Sequence, residues 1–123
     1  NFGHTFAHGY EAALNYSIKL NHGEAVILGM VTALKFSLKK KFLNMSDYLS
    51  IINHITNSKL PFNIKKYFST KDLNKILTFM AKDKKNNSDK IKLILLKKIG
   101  FPTIKDNFKN KELKLFLKKE LSN

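Results

Sequence analysis

Apolar residues recur three and four positions apart along most of this chain, and that rhythm commits it to helices that pack by one face. Over residues 4–15 the stripe is Phe6, Tyr10, Ala13 and Leu14, with Gly9 as a mild breaker. A longer helix is predicted from about Gly23 to Phe42, with Ala25, Leu28, Gly29, Thr32, Ala33 and Phe36 along one side. Lys39, Lys40 and Lys41 fall in its last turn, where cations suit the helix dipole. Ala25, Gly29 and Ala33 are small and four apart, so another backbone can come close, and packing within the domain is the favoured use of that space. Ser46 is predicted to cap a helix through about Asn57, carrying Tyr48, Leu49, Ile52 and Ile55. Leu60-Pro61 breaks the pattern, and Thr70 is predicted to cap a further helix with Leu73, Ile76, Leu77 and Met80 inward. Ile91 to Leu96 departs from the rhythm. It is short, branched and bounded by turn residues, so it predicts a strand, half of a hairpin closing near Gly100. Residues 110–121 return to helical spacing through Leu113, Phe116, Leu117 and Leu121. The expected fold class is mainly α with a small β-hairpin, as one domain over residues 1–123.

Composition narrows the function. The 43% hydrophobic content of these 123 residues is enough for a core. There is no cysteine, which excludes thiolate metal sites and thiol nucleophiles and fits a reducing compartment; a cytoplasmic location is expected. No apolar run approaches the roughly 20 residues that span a bilayer, so no membrane partner is expected. The net charge of +14 raises the question of nucleic acid. However, every basic residue is Lys, without the Arg that reads guanine and phosphate in bidentate fashion. The Lys residues are spread through the second half among Asn and Ile, as on a solvated surface, so no nucleic-acid partner is expected. No Gly-rich phosphate loop or dinucleotide fingerprint is present.

The chemistry concentrates near the start. Three of the four histidines, His4, His8 and His22, lie in the first 22 residues. His4 and His8 are four apart, on one face of a helix. His22 stands at a predicted helix start with Gly23 and Glu24 behind it. Imidazole serves both as a metal ligand and as a proton carrier near neutral pH. A metal-bound histidine needs an acceptor for its other ring nitrogen, and either Glu24 or Glu11 would serve. A catalytic zinc site uses three protein ligands and an open position, so two histidines from here leave a third ligand to come from elsewhere. His54 sits in an ordinary amphipathic stretch and is expected to be a surface or packing residue.

Asn1-Phe2-Gly3-His4-Thr5-Phe6-Ala7-His8 with Glu11, then His22-Gly23-Glu24-Ala25-Val26 with Gly29-Met30, resembles the 3-dehydroquinate synthases. Asp83-Lys84-Lys85, Ile91 to Leu96 and Ile99-Gly100 extend the resemblance, whereas residues 43–80 and 101–123 carry little of it. Gly9-Tyr10 departs from the family pattern, where Ala-Ile is commoner, as a packing change.

The resemblance covers the C-terminal helical domain and implies that an N-terminal NAD-binding α/β domain is missing from this chain, which begins at Asn1. It implies NAD and a divalent metal, Zn2+ or another such as Co2+, as cofactors, and a homodimer as the assembly. It implies cyclisation of 3-deoxy-D-arabino-heptulosonate 7-phosphate to 3-dehydroquinate with loss of phosphate, a shikimate-pathway lyase reaction. Carried over by position, His4 and His22 become metal ligands, with a glutamate upstream of Asn1 as the third. His8 becomes the catalytic proton-transfer residue. Asn1, His4, His8 and Lys84 become substrate contacts, with Lys85 as the fallback for Lys84; a lysine suits phosphate or carboxylate as a point charge. The competing readings are another sugar-phosphate cyclase, a basic helical binding module, and a relic without turnover. The 123 residues alone are expected to be inactive.

Overall fold

The computed structural model describes residues 2–15, 19–60, 62–82, 90–97 and 103–122. Among the described residues, five helices run in chain order: α1 (His4–Ala13), α2 (His22–Lys39), α3 (Met45–Asn57), α4 (Leu73–Ala81) and α5 (Asn110–Leu121). Two single 3-10 turns, Ile64–Lys66 and Thr70–Asp72, lead into α4. Strands β1 (Lys90–Leu96) and β2 (Thr103–Lys109) pair antiparallel, with Leu93 opposite Asp106. The mainly helical expectation and the hairpin are both borne out, although Gly100 lies outside the described residues. No helix among the described residues is long and apolar enough to cross a membrane.

The caps correct several sequence-based boundaries. α3 is capped by Asn44 rather than Ser46: the Asn44 side chain accepts from the Asp47 N–H at 2.8 Å, satisfying a donor that the first helical turn leaves open. Ser69 rather than Thr70 starts the turn before α4, in a reciprocal pair with Asp72. α2 stops at Lys39, short of Phe42. Lys41 swings to φ 64°, and the Phe42 N–H then reaches back to the Ser37 carbonyl at 2.9 Å, the usual left-handed helix stop.

The main core joins α1, α2, α4 and α5 with the hairpin and leaves α3 out. Phe6 and Tyr10 of α1, Leu28 and Phe36 of α2, Ile76 and Met80 of α4, and Leu113, Phe116 and Leu117 of α5 meet in one cluster. Ile91, Leu93 and Leu95 project into it from alternate positions of β1, as a half-buried strand requires. The Phe36 ring meets Phe108 edge-on at 5.1 Å and Phe116 at 5.0 Å. A smaller cluster of Val31, Leu34, Leu43 and Ile55 seats α3, whose Leu49 stays exposed.

The small residues of α2 serve packing inside the domain, as expected. A methyl group on Gly29 would sit 2.5 Å from the Gly3 carbonyl oxygen and 2.7 Å from the Ala7 nitrogen. Gly3 itself adopts φ 75° to turn the chain into α1. Here two backbones touch with no side chain between them.

Candidate metal and substrate site

α1 begins at the Gly3–Gly29 contact, so His4, its first residue, is placed by a close backbone approach. His8 follows one turn later and is half-buried. At about 100° per residue, His4, His8 and Glu11 share one face of α1, since steps of four and seven return nearly to the same side.

His22 is the first residue of α2 and Asn21 its N-cap. Its Nδ1 lies 3.0 Å from Oε2 of Glu11. The chain thereby brings His22 to the face of α1 that bears the other two histidines. The His22 side chain is 72% exposed and that of Glu11 only 14%. Of the two carboxylates that could serve His22, Glu11 makes the contact and Glu24 does not. The Glu24 carboxylate accepts from the Asn21 N–H at 3.0 Å, and its own N–H donates to the Asn21 side chain at 2.8 Å. That reciprocal box was legible in the sequence: Asn21 followed by Glu24 three positions later is a helix-start signature that engages the carboxylate.

Two further anchors hold α1. Tyr10 and Thr32 join their hydroxyls at 2.6 Å inside the core. Thr5 donates to the Lys92 carbonyl at 3.3 Å, tying the start of α1 to β1; periodicity gave no hint of this bond. Burial pushes the Tyr10 hydroxyl well above its ordinary pKa of 10.0. Gly9 itself is tightly packed: a methyl there would meet Met80 of α4 at 2.7 Å.

His54 is exposed on α3, as expected. Asn1, Lys84 and Lys85 lie outside the described residues. Among the described residues, no three His, Asp or Glu side chains come together as a complete metal cage. A cleft of about 380 Å³ is lined by Glu24, Lys59, Leu60, Phe62, Asn63, Lys66 and Tyr67, with none of the three histidines in its wall.

The fold thus sets His22 of α2 against Glu11 of α1, the helix that also carries His4 and His8. Residues 1–86 match the 3-dehydroquinate synthase C-terminal family, and the chain belongs to that family. It is 58% identical over 122 residues to the 3-dehydroquinate synthase of Pelagibacter ubique (strain HTCC1062), covering 99% of this chain and 33% of that protein. It is 38% identical over 117 residues to the enzyme of the same name from Coxiella burnetii (strain Dugway 5J108-111), covering 95% of this chain and 32% of that protein. The chain therefore spans about a third of the length of these relatives. Among solved structures, it superposes on 2-deoxy-scyllo-inosose synthase complexed with carbaglucose-6-phosphate, NAD+ and Co2+ with a TM-score of 0.70. That match has 24% identity over 96% of this chain and 32% of the other, a likeness of fold.

Proposed function

We propose that this chain is the metal- and substrate-binding part of a 3-dehydroquinate synthase, which converts 3-deoxy-D-arabino-heptulosonate 7-phosphate to 3-dehydroquinate with loss of phosphate. The observation that carries this is the delivery of His22 by Glu11 to the His4–His8 face of α1. The 58% identity to a protein named 3-dehydroquinate synthase favours this substrate over that of another sugar-phosphate cyclase.

The donor set suits a divalent metal. Imidazole nitrogens bind zinc and cobalt well, and with Nδ1 of His22 engaged, its Nε2 remains available on an exposed ring. His4 and His22 would hold the ion, with the third ligand supplied from outside these residues. When bound, the metal supplies Lewis-acid polarisation of a substrate oxygen. NAD, which residues outside the 123 would hold, would supply reversible hydride acceptance. His8 would hold or move a proton at a substrate oxygen, since it lies one turn from His4 on the same face. Asn1 and Lys84, or Lys85 in its place, would bind the anionic substrate.

The test is made on the intact protein. His4→Ala and His22→Ala lose zinc and turnover together. His8→Ala keeps the zinc stoichiometry and lowers turnover about 100-fold, the scale of general acid–base catalysis. An empty metal site in His8→Ala would make His8 a ligand and overturn the assignment of roles. The 123 residues alone bind zinc weakly and produce no dehydroquinate; turnover by them alone would overturn the need for outside ligands.

A further inference from the structure

We propose that Glu11 is a positioning residue that sets the tautomer and aim of His22; this rests on the ligand role proposed for His22. An ionised carboxylate only accepts, so the 3.0 Å contact to Nδ1 holds the ring hydrogen there. Nε2 then carries the lone pair that a metal needs. A neutral histidine in water favours the opposite tautomer.

The surroundings leave this task to Glu11. The His22 ring is 72% exposed, so packing does not fix its rotamer. The other nearby carboxylate, Glu24, is engaged in the cap with Asn21. Glu11 is itself mostly covered, on a helix fixed by the Gly3–Gly29 contact and the Tyr10–Thr32 bond. A covered carboxylate on a fixed helix is a firm reference point, whereas the exposed imidazole at the start of α2 is the part that needs one. The contact also spans the connection between α1 and α2, so it orients a donor on one helix relative to His4 on the other.

The experiment uses the intact protein and zinc alone as the probe. The 15N shifts of His22 in the metal-free protein, at a pH where its ring is neutral, report the tautomer. Wild type shows hydrogen on Nδ1. Glu11→Met keeps the side-chain length and removes the acceptor; it shifts His22 toward the Nε2–H form. Its zinc affinity, from chelator competition, falls about 10- to 100-fold, as when other outer partners of metal-binding histidines are removed. Glu11→Gln keeps an acceptor oxygen and recovers part of both. Wild-type tautomer and wild-type zinc affinity in Glu11→Met would overturn the positioning role while leaving His22 as a ligand. Unchanged zinc affinity in His22→Ala would instead overturn the ligand role itself. Glu11→Met unfolding without a tautomer change in its folded fraction would reduce Glu11 to a structural ion-pair partner and also overturn the proposal.

Discussion

The α1–α2 pair and the hairpin–α5 end of the molecule are built differently. At α1–α2 the backbones touch at Gly3 and Gly29, and a covered carboxylate meets a histidine across the pair. At the hairpin–α5 end, aromatic and leucine side chains keep the elements apart, and the outward positions are largely Lys. One end gains accuracy from close approach; the other gains stability from burial. Net charge says little about either, because Lys111, Lys114, Lys118 and Lys119 of α5 face water.

Removing core volume from α5 should separate stability from site geometry most strongly. Leu117, fully buried, becomes Ala at a cost of about 3 kcal/mol, from lost transfer energy and the residual cavity. Thermal unfolding of the intact protein records the loss, and zinc affinity of the folded protein stays near wild type. Gly29→Ala does the reverse in kind. Its methyl would overlap the Gly3 carbonyl oxygen at 2.5 Å, so α1 must shift, at a cost of about 2 kcal/mol from overpacking. Because that shift moves His4, zinc affinity falls as well as the unfolding temperature. Equal loss of zinc affinity in the two variants would break the comparison between the ends.

Helical spacing made α1, α2 and α5 legible, because their apolar stripes are long and each buries against the same core. The hairpin strand was legible from its branched run, and Ile91, Leu93 and Leu95 point inward as a strand of that kind demands. The starts of α3 and α4 were misplaced by one or two residues, since Ser, Thr and Asn all cap well and only the geometry of Asn44 and Ser69 chooses among them. The 3-10 turn at Ile64–Lys66 was missed, being too short to show a period. At the site, spacing placed His4 and His8 together, but no spacing rule brings His22 to Glu11, because that contact depends on how two helices cross. The Thr5–Lys92 bond has the same character: its partners lie 87 residues apart in sequence.

The Tyr10–Thr32 pair sharpens the comparison through pH. Thr32 donates to the Leu28 carbonyl at 2.8 Å, so Tyr10 donates to Thr32. Tyr10→Phe therefore removes a donor without stranding a partner and costs about 1 kcal/mol; Thr32→Val strands the buried Tyr10 hydroxyl and costs about 2 kcal/mol. Burial raises the folded-state pKa of Tyr10 above its ordinary 10.0. The neutral hydroxyl's contribution is therefore intact below pH 10.0 and is lost as the unfolded chain ionises above it. Unfolding measured across that range should show a shallower alkaline decline in Tyr10→Phe than in wild type. An identical decline would mean that the α1–α2 contact admits water at Tyr10.

The smallest effect lies where the two ends meet. Lys40, just past the C-terminus of α2, donates to Glu112 in the first turn of α5 at 2.6 Å. Each charge suits the helix end it occupies, and the Lys40 amino group also lies 5.7 Å from the Phe108 ring centre. Both side chains are about a third exposed, so solvent screens the pair and holds its worth to about 0.5 kcal/mol. Lys40→Met keeps the apolar stem against Phe108 and removes the charge. Its cost should be measurable in dilute buffer and vanish in high salt, where the Debye length falls to about 3 Å at molar concentration. A cost that survives high salt would mean that Lys40 acts by covering Phe108, and that burial rather than charge joins the hairpin end to α2.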